Sequence, residues 1–350
     1  MHFTLSGVCY PSSGIIDFRR FRFLYSGSRF ISGPQGCRMT AEEHMNNSDH
    51  LSLNRYVHTF GDSMREKYGE NVYKISLSGN FTCPNRDGTL GRGGCTFCSV
   101  ASFAGNNGTG TLREQLSENR NPRARIFLAY FQAYTSTYAE FEVLKRCYDE
   151  ALASPRVVGL CVGTRPDCVS GNILDLLESY GRQGYEVWLE LGLQSSFDST
   201  LERINRHHTF EDYRITASRA RERGIRVCTH LIVGLPGEGL MHSMTTLGRV
   251  LDIGTDALKL HQLHIVRGSQ MEREYARGDI AVLSLEDYAG IAALMIQHTP
   301  ENVLYERVGA SAAEDMLVAP AWASKRWPVI NAITGILARE GGQGSRVRYA

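Results

Sequence analysis

From about residue 72 onward the chain alternates short, apolar, β-branched runs with amphipathic stretches of helical periodicity, and few architectures accept that alternation over most of a sequence. The strand-like runs are Tyr73–Leu77, Ile126–Phe131, Val157–Val162, Glu186–Leu191, Val227–Val233 and Ala257–His261, with Asn302–Arg307 as one further candidate. Between them Glu140–Ala153, Asn172–Arg182, Glu211–Arg223 and Ser243–Ile253 carry apolar residues at helical spacing, and Glu286–His298 adds another helix. Strand starts after the second lie about 30 to 40 residues apart, the period of βα units wound into a parallel sheet. The expected fold class is therefore α/β, a partial or full (β/α) barrel. Barrel enzymes place their sites on loops that follow the C-terminal ends of strands. Here those loops are Asn80–Ser99, Gln132–Thr137, Gly163–Asp167, Gly192–Phe197 and Gly234–Glu238, and they hold the chain's unusual residues.

The 350 residues, 42% of them hydrophobic, suffice for one main domain with short extensions. Residues 1–44 stand apart, with five arginines (Arg19, Arg20, Arg22, Arg29, Arg38), three acids and no sustained periodicity. They fit a leader or disordered extension, either an organelle transit peptide or translated sequence ahead of a start at Met39 or Met45. The barrel core is expected over 45–300 and a C-terminal extension over 301–350. Thirty-eight basic against thirty-seven acidic residues leave a formal charge of +1, so no overall field draws in nucleic acid or an anionic membrane. No run of about eighteen apolar residues offers a membrane span, and the N-terminus lacks the apolar core of a secretory signal, so the expected location is the cytoplasm.

Nine scattered cysteines do not make the dense disulfide framework of a small secreted protein. Cys147, Cys161 and Cys228 fall inside apolar helix or strand patterns, as buried thiols do. Only Cys83, Cys95 and Cys98 cluster, in Cys83-Pro-Asn-Arg-Asp-Gly-Thr-Leu-Gly-Arg-Gly-Gly-Cys95-Thr-Phe-Cys98. Three thiolates from one loop favour a soft metal centre. A structural zinc normally takes four protein ligands, and the loop holds no fourth Cys or His. A C-x-x-C redox pair would not need Cys83. An iron–sulfur cluster held by three cysteines leaves one iron open to a substrate or cofactor. On spacing alone all three readings stand.

The loop, with Phe97 inside its C-x-x-C pair, does not stand alone. Gly163-Thr164-Arg165-Pro166-Asp167, Glu190-Leu191-Gly192-Leu193-Gln194-Ser195, Ile204-Asn205-Arg206 and Leu231-Ile232-Val233-Gly234-Leu235-Pro236-Gly237-Glu238 follow it in order. Together these segments resemble the radical SAM superfamily, most closely its bacterial YhcC-like branch, which is related to the radical SAM domain of the elongator catalytic subunit. The resemblance runs from about Arg55 through Arg339. It implies a barrel of the radical SAM type and one [4Fe–4S] cluster on Cys83, Cys95 and Cys98. It further implies S-adenosyl-L-methionine (SAM) on the open iron, reductive cleavage to a 5′-deoxyadenosyl radical, and an external electron donor such as a flavodoxin or ferredoxin. Gln194 and Arg206 match SAM-contacting positions of the porphyrinogen-oxidising relatives, and Glu190 is implied as a ribose partner. Where family members carry a Gly-Gly-Glu or Gly-Gly-Gly-Thr-Pro segment for the SAM amino group, this chain has Gln132-Ala133-Tyr134-Thr135-Ser136-Thr137, which leaves that contact to the backbone around Thr135. The usual C-x3-C-x2-C spacing is lengthened to eleven residues, as in the elongator-like branch.

No loop motif identifies a substrate, and no catalytic side chain is assigned. Gly234-Leu-Pro-Gly-Glu238 lacks the Lys and Ser/Thr of a phosphate loop and reads as a βα turn. His207, His208, His261 and His264 are candidates for metal ligation or proton transfer, the last two at the end of the sixth strand. Arg214, Arg219, Arg221, Arg223 and Arg226 form a basic run on or near one helix, a solvated face or an RNA contact. The alternative of another class is a non-catalytic zinc- or cluster-binding module that recognises RNA or a protein, which would not require Gln194 and Arg206.

Overall fold

In the computed structural model, which describes residues 52–99, 110–118 and 125–347, the alternation resolves into one parallel sheet of seven strands. The expected leader at 1–44 lies outside the described residues. The sheet runs β1 (Val72–Leu77), β2 (Ile126–Phe131), β3 (Val157–Thr164), β4 (Glu186–Gln194), β5 (Arg226–Val233), β6 (Ala257–Gln262) and β8 (Leu304–Arg307). A separate antiparallel pair joins β7 (Ile265–Val266) to β9 (Leu317–Ala319). In chain order the helices are α1 (Phe60–Tyr68), α2 (Pro84–Asp87), α3 (Leu112–Glu118), α4 (Phe141–Leu152), α5 (Gly171–Arg182), α6 (Asp198–Arg203), α7 (Phe210–Glu222), α8 (Leu240–Ile253), α9 (Gln270–Ala276), α10 (Leu285–Gln297) and α11 (Arg326–Glu340).

Strands buried on both faces read as nearly continuous apolar runs, and β2 through β5 are mostly buried along their length. The helices bury one stripe each against them. In α4 this stripe is Leu144, Tyr148, Ala151 and Leu152, and in α5 it is Ile173, Leu174, Leu176, Leu177 and Tyr180. The sheet stays open as a partial barrel yet curls until Lys74 of β1 meets Glu306 of β8 at 2.5 Å, although these strands are its two ends. Strand β8 lies inside the stretch expected as a C-terminal extension and is the seventh strand of the sheet.

Three strands run past their expected ends, β6 by one residue to Gln262. β3 continues to Thr164 and β4 to Gln194, because Gly163 and Gly192, which look like loop glycines, still pair with Glu190 and His230. After Gly192 the register shifts: Gln194 pairs with Leu231, so Leu193 is an extra residue, and Gln194 takes a left-handed φ of 76°. A similar shift lies in β8, where Tyr305 pairs with Leu258 and Arg307 with Lys259, leaving Glu306 between them. Helix α1 begins at Phe60, where Thr59 caps it by accepting from the Asp62 N–H at 3.1 Å.

Candidate functional site

The cysteine loop follows β1 and is held from two directions. Cys83 is the residue before α2, whose first turn is opened by Pro84. Buried Asn85 donates through Nδ2 to the Asn205 carbonyl at 2.7 Å, and Asn205 returns a bond to the Gly94 carbonyl at 2.8 Å. The Thr96 N–H donates to Ile204 O at 3.1 Å, and the Met271 N–H donates to Thr96 O at 3.0 Å. Thus the Ile204-Asn205-Arg206 segment after β4 and the start of α9 clamp the loop. Gly94, at φ 83°, lies under the Arg86 guanidinium, which a Cβ there would approach to 2.8 Å.

Nitrogen donors converge on the sulfurs. Arg206 Nη1 lies 3.3 Å and Asn85 Nδ2 3.5 Å from Cys95 Sγ, and Arg86 Nη2 lies 3.3 Å from Cys98 Sγ. Such bonds suit thiolates bound to a metal centre. Among the described residues the one trio of potential metal-ligating atoms all within 4.8 Å of one another is Glu190, Cys228 and His230, so the three loop sulfurs are not all within that distance of one another. A single tetrahedral zinc with Zn–S near 2.3 Å would draw sulfurs to about 3.8 Å apart. Three thiols with no fourth Cys or His in the loop, and N–H donors at two of the sulfurs, are a donor set that suits a cluster with one open iron.

Cys83, Cys95 and Cys98 open into a cavity of about 510 Å³ at the C-terminal ends of the strands. The expected SAM contacts line the same cavity. Thr135 is buried with its Oγ1 unpartnered, a polar atom left for a ligand. Gln194 ends β4. Arg206 is buried, donates through Nη2 to the Gly192 carbonyl at 2.5 Å and through Nε to His208 Nε2 at 3.0 Å. Gly192 leaves the space for both side chains: a Cβ there would lie 3.0 Å from Gln194 Nε2 and 3.2 Å from Arg206 Nη2. Burial, then the Arg206 and Arg165 charges, push His208 down to about 2, so its ring is neutral and accepts from Arg206. Arg206 thus ties β4 to Cys95.

Glu190 is fully buried at the cavity floor, inside a square of charges. Its Oε1 accepts from Lys74 at 2.6 Å, and its Oε2 from Lys259 at 2.6 Å and His230 at 2.8 Å. Glu306 closes the square, 2.5 Å from Lys74 and 3.0 Å from Lys259. Burial acts to push the Glu190 carboxyl up, but Lys259 and Lys74, with the His230 hydrogen bond, outweigh it and hold the group well below the usual carboxylate range. These ammonium groups also oppose any cation at the Glu190, Cys228 and His230 trio. Lys74 and Lys259 carried a signal in the sequence, being lysines inside mostly apolar strands, as did Asn85 and Arg86 inside the loop.

Other candidates fall elsewhere. The basic run on α7 is tied into acids, with Arg214 bonded to Glu211, Arg223 2.9 Å from Asp175, and Arg226 3.5 Å from Glu186. Glu238 of the Gly234–Glu238 turn accepts from Ser195 Oγ. Cys161 and Cys228 are core residues, and burial pushes both thiols up. Among the described residues no helix is long and apolar enough to cross a membrane.

A curled parallel half-barrel carrying a three-cysteine loop after its first strand defines the class, and the chain belongs to the radical SAM superfamily. Residues 85–247 match the family described as the Radical SAM superfamily, and residues 255–339 match the Radical_SAM C-terminal domain. The chain is 51% identical to the protein YhcC of Escherichia coli K12 over 298 residues, covering 84% of this chain and 96% of YhcC. It is 37% identical over 292 residues to YtqA of Bacillus subtilis, covering 81% and 90% respectively. Among solved structures, the archaeal Methanocaldococcus infernus Elp3 with an N-terminal deletion shares the fold at a TM-score of 0.56 and 17% identity, over 78% of this chain and 64% of that one.

Proposed function

We propose that this protein is a radical SAM enzyme that binds one [4Fe–4S] cluster on Cys83, Cys95 and Cys98 and SAM beside it, in the cytoplasm, with an external reductant of the flavodoxin or ferredoxin type. The observation that carries the proposal is the set of three thiols at the wall of one cavity whose other walls hold unpartnered buried polar atoms. A cluster held by Cys83, Cys95 and Cys98 would supply the one-electron reduction of SAM bound beside it. The chain's own residues position and shield. Asn85, Arg86 and Arg206 hold the sulfurs with N–H donors, Gln194 and Thr135 bind polar groups of SAM, and Glu190 with Lys74 and Lys259 keeps the floor polar and fixed. Anaerobically purified protein reduced with dithionite is expected to form 5′-deoxyadenosine from SAM. A redox-active cluster with no SAM cleavage would favour the non-catalytic binding module instead.

Gln194 and Arg206 separate two roles. Losing one hydrogen bond to a charged group costs about 1.5–3 kcal/mol, so Gln194→Ala should weaken SAM binding by roughly ten- to a hundredfold at unchanged iron content. Arg206→Ala should do the same and also lower iron retention, because its guanidinium joins Gly192 to Cys95. Equilibrium dialysis with SAM alongside iron analysis checks both. Equal SAM affinity in wild type and Gln194→Ala would remove Gln194 from the site.

A further inference from the structure

The cavity has two ends. Arg86 and Arg206 face the cysteine sulfurs, Arg165 is matched by Asp167 at 2.8 Å, and Lys259 is matched by Glu190 and Glu306. Arg307, at the end of β8, is the remaining cation of the lining. Among the described residues its guanidinium makes no hydrogen bond or ion pair, and its Nε is buried without a partner. His264 lines the same end and is 8% exposed, and its Nε2 is likewise buried and unpartnered. The His261 ring packs edge-on against it at 4.5 Å and is itself fixed by Nδ1 against the Gln262 carbonyl at 2.5 Å. Ser311, Ala312 and Ala313 form the adjoining wall with small side chains, which leaves space beside the guanidinium. Burial and the Arg307 charge push His264 down to about 4, so at neutral pH its ring carries one proton and no charge.

A half-buried guanidinium without a counter-ion, its Nε fully buried, and a buried imidazole nitrogen without a partner are each costly unless a ligand completes them. A planar fork of N–H donors matches the two oxygens of a carboxylate or a phosphate. We propose that the β6–β8 end of the cavity binds an anionic group of the substrate, a carboxylate or a phosphate, through the Arg307 guanidinium and His264 Nε2. The proposal rests on the reading above, in which the cysteine end belongs to SAM.

The test uses the full chain, reconstituted with iron and sulfide and saturated with SAM, titrated calorimetrically with benzoate and with phenyl phosphate at constant ionic strength. One saturable site per chain is expected, with benzoate alone indicating a carboxylate and phenyl phosphate alone a phosphate. Arg307→Met should weaken the bound probe by about ten- to a hundredfold and His264→Phe by about tenfold, each at unchanged SAM affinity. Arg307→Lys keeps the charge and the fold but loses the fork, and should fall between wild type and Arg307→Met. The proposal is overturned if neither probe saturates a site in the wild type, if all three variants bind as the wild type does, or if Arg307→Met loses SAM affinity in parallel, which would give Arg307 to the cofactor. Saturable anion binding that depends on Arg307 in a protein unable to bind SAM would support this site while overturning the cofactor reading.

Discussion

Replacing any one of Cys83, Cys95 or Cys98 by Ala is expected to abolish the iron-linked visible absorption and SAM cleavage while leaving the helical circular dichroism of the barrel intact. The two halves of this expectation have separate causes. An iron that loses its thiolate loses its one protein ligand, and with three cysteines there is no spare. The barrel, in contrast, does not depend on the thiols: the loop is tied to its surroundings by Asn85, Asn205, Thr96 and Met271 through backbone partners. The loss should therefore be all or none in activity and small in stability. Full iron and sulfide content in the triple variant would remove these cysteines as ligands.

The second large effect is expected at Glu190. Changing it to Gln leaves Lys74 and Lys259 with Glu306 as their one shared carboxylate, in a site where Glu190 is fully buried. Removing one partner from a buried ion pair costs about 3–5 kcal/mol, because the surviving charge is left uncompensated. Urea unfolding of Glu190→Gln should show that loss, and Glu190→Gln combined with Lys259→Met should recover part of it. The pH dependence follows from the depressed carboxyl. A carboxylate held below its unfolded value of about 4.3 contributes stability that is fully present above that pH and is lost as pH falls through the lower folded value. The stability gap between wild type and Glu190→Gln should not close between neutral pH and about pH 5, where loss of the Glu190 contact to His230 can only widen it, and should narrow only under more acidic conditions. A gap already closing between pH 7 and 5 would show that Glu190 is not held ionised by the lysines.

The frame of the protein was legible because the parallel sheet is apolar on both faces: Ile126–Phe131 gives β2 residue for residue, and the helices follow from their buried stripes. The cysteine loop was legible because its three cysteines are close in sequence. The charge square was not, since Glu190 finds its partners 69 and 116 residues away, and nothing in the order of residues says which distant strand supplies them. The extended end of β4 was hidden for a local reason: Gly192 looks like a turn glycine, whereas its missing side chain makes room for Arg206 within a strand. Helix α11 was missed because Pro328 and Gly335 interrupt its pattern, although Val329, Ile330, Ile333 and Leu337 bury one face and the helix packs on α10.

The contact from Lys74 to Glu306 joins residues 232 positions apart, and the clamp on the cysteines reaches from Asn85 to Asn205, 120 positions apart. Pairings of such sequence separation form late, because the intervening chain must first be ordered. During synthesis the cysteines emerge well before the segments that orient them, and the cavity floor is complete only once the last strand of the sheet has docked. Ordering of the cysteine loop is thereby tied to segments made much later, and a chain truncated ahead of Ile204 is expected to show cysteine-loop amides that exchange freely with solvent hydrogen.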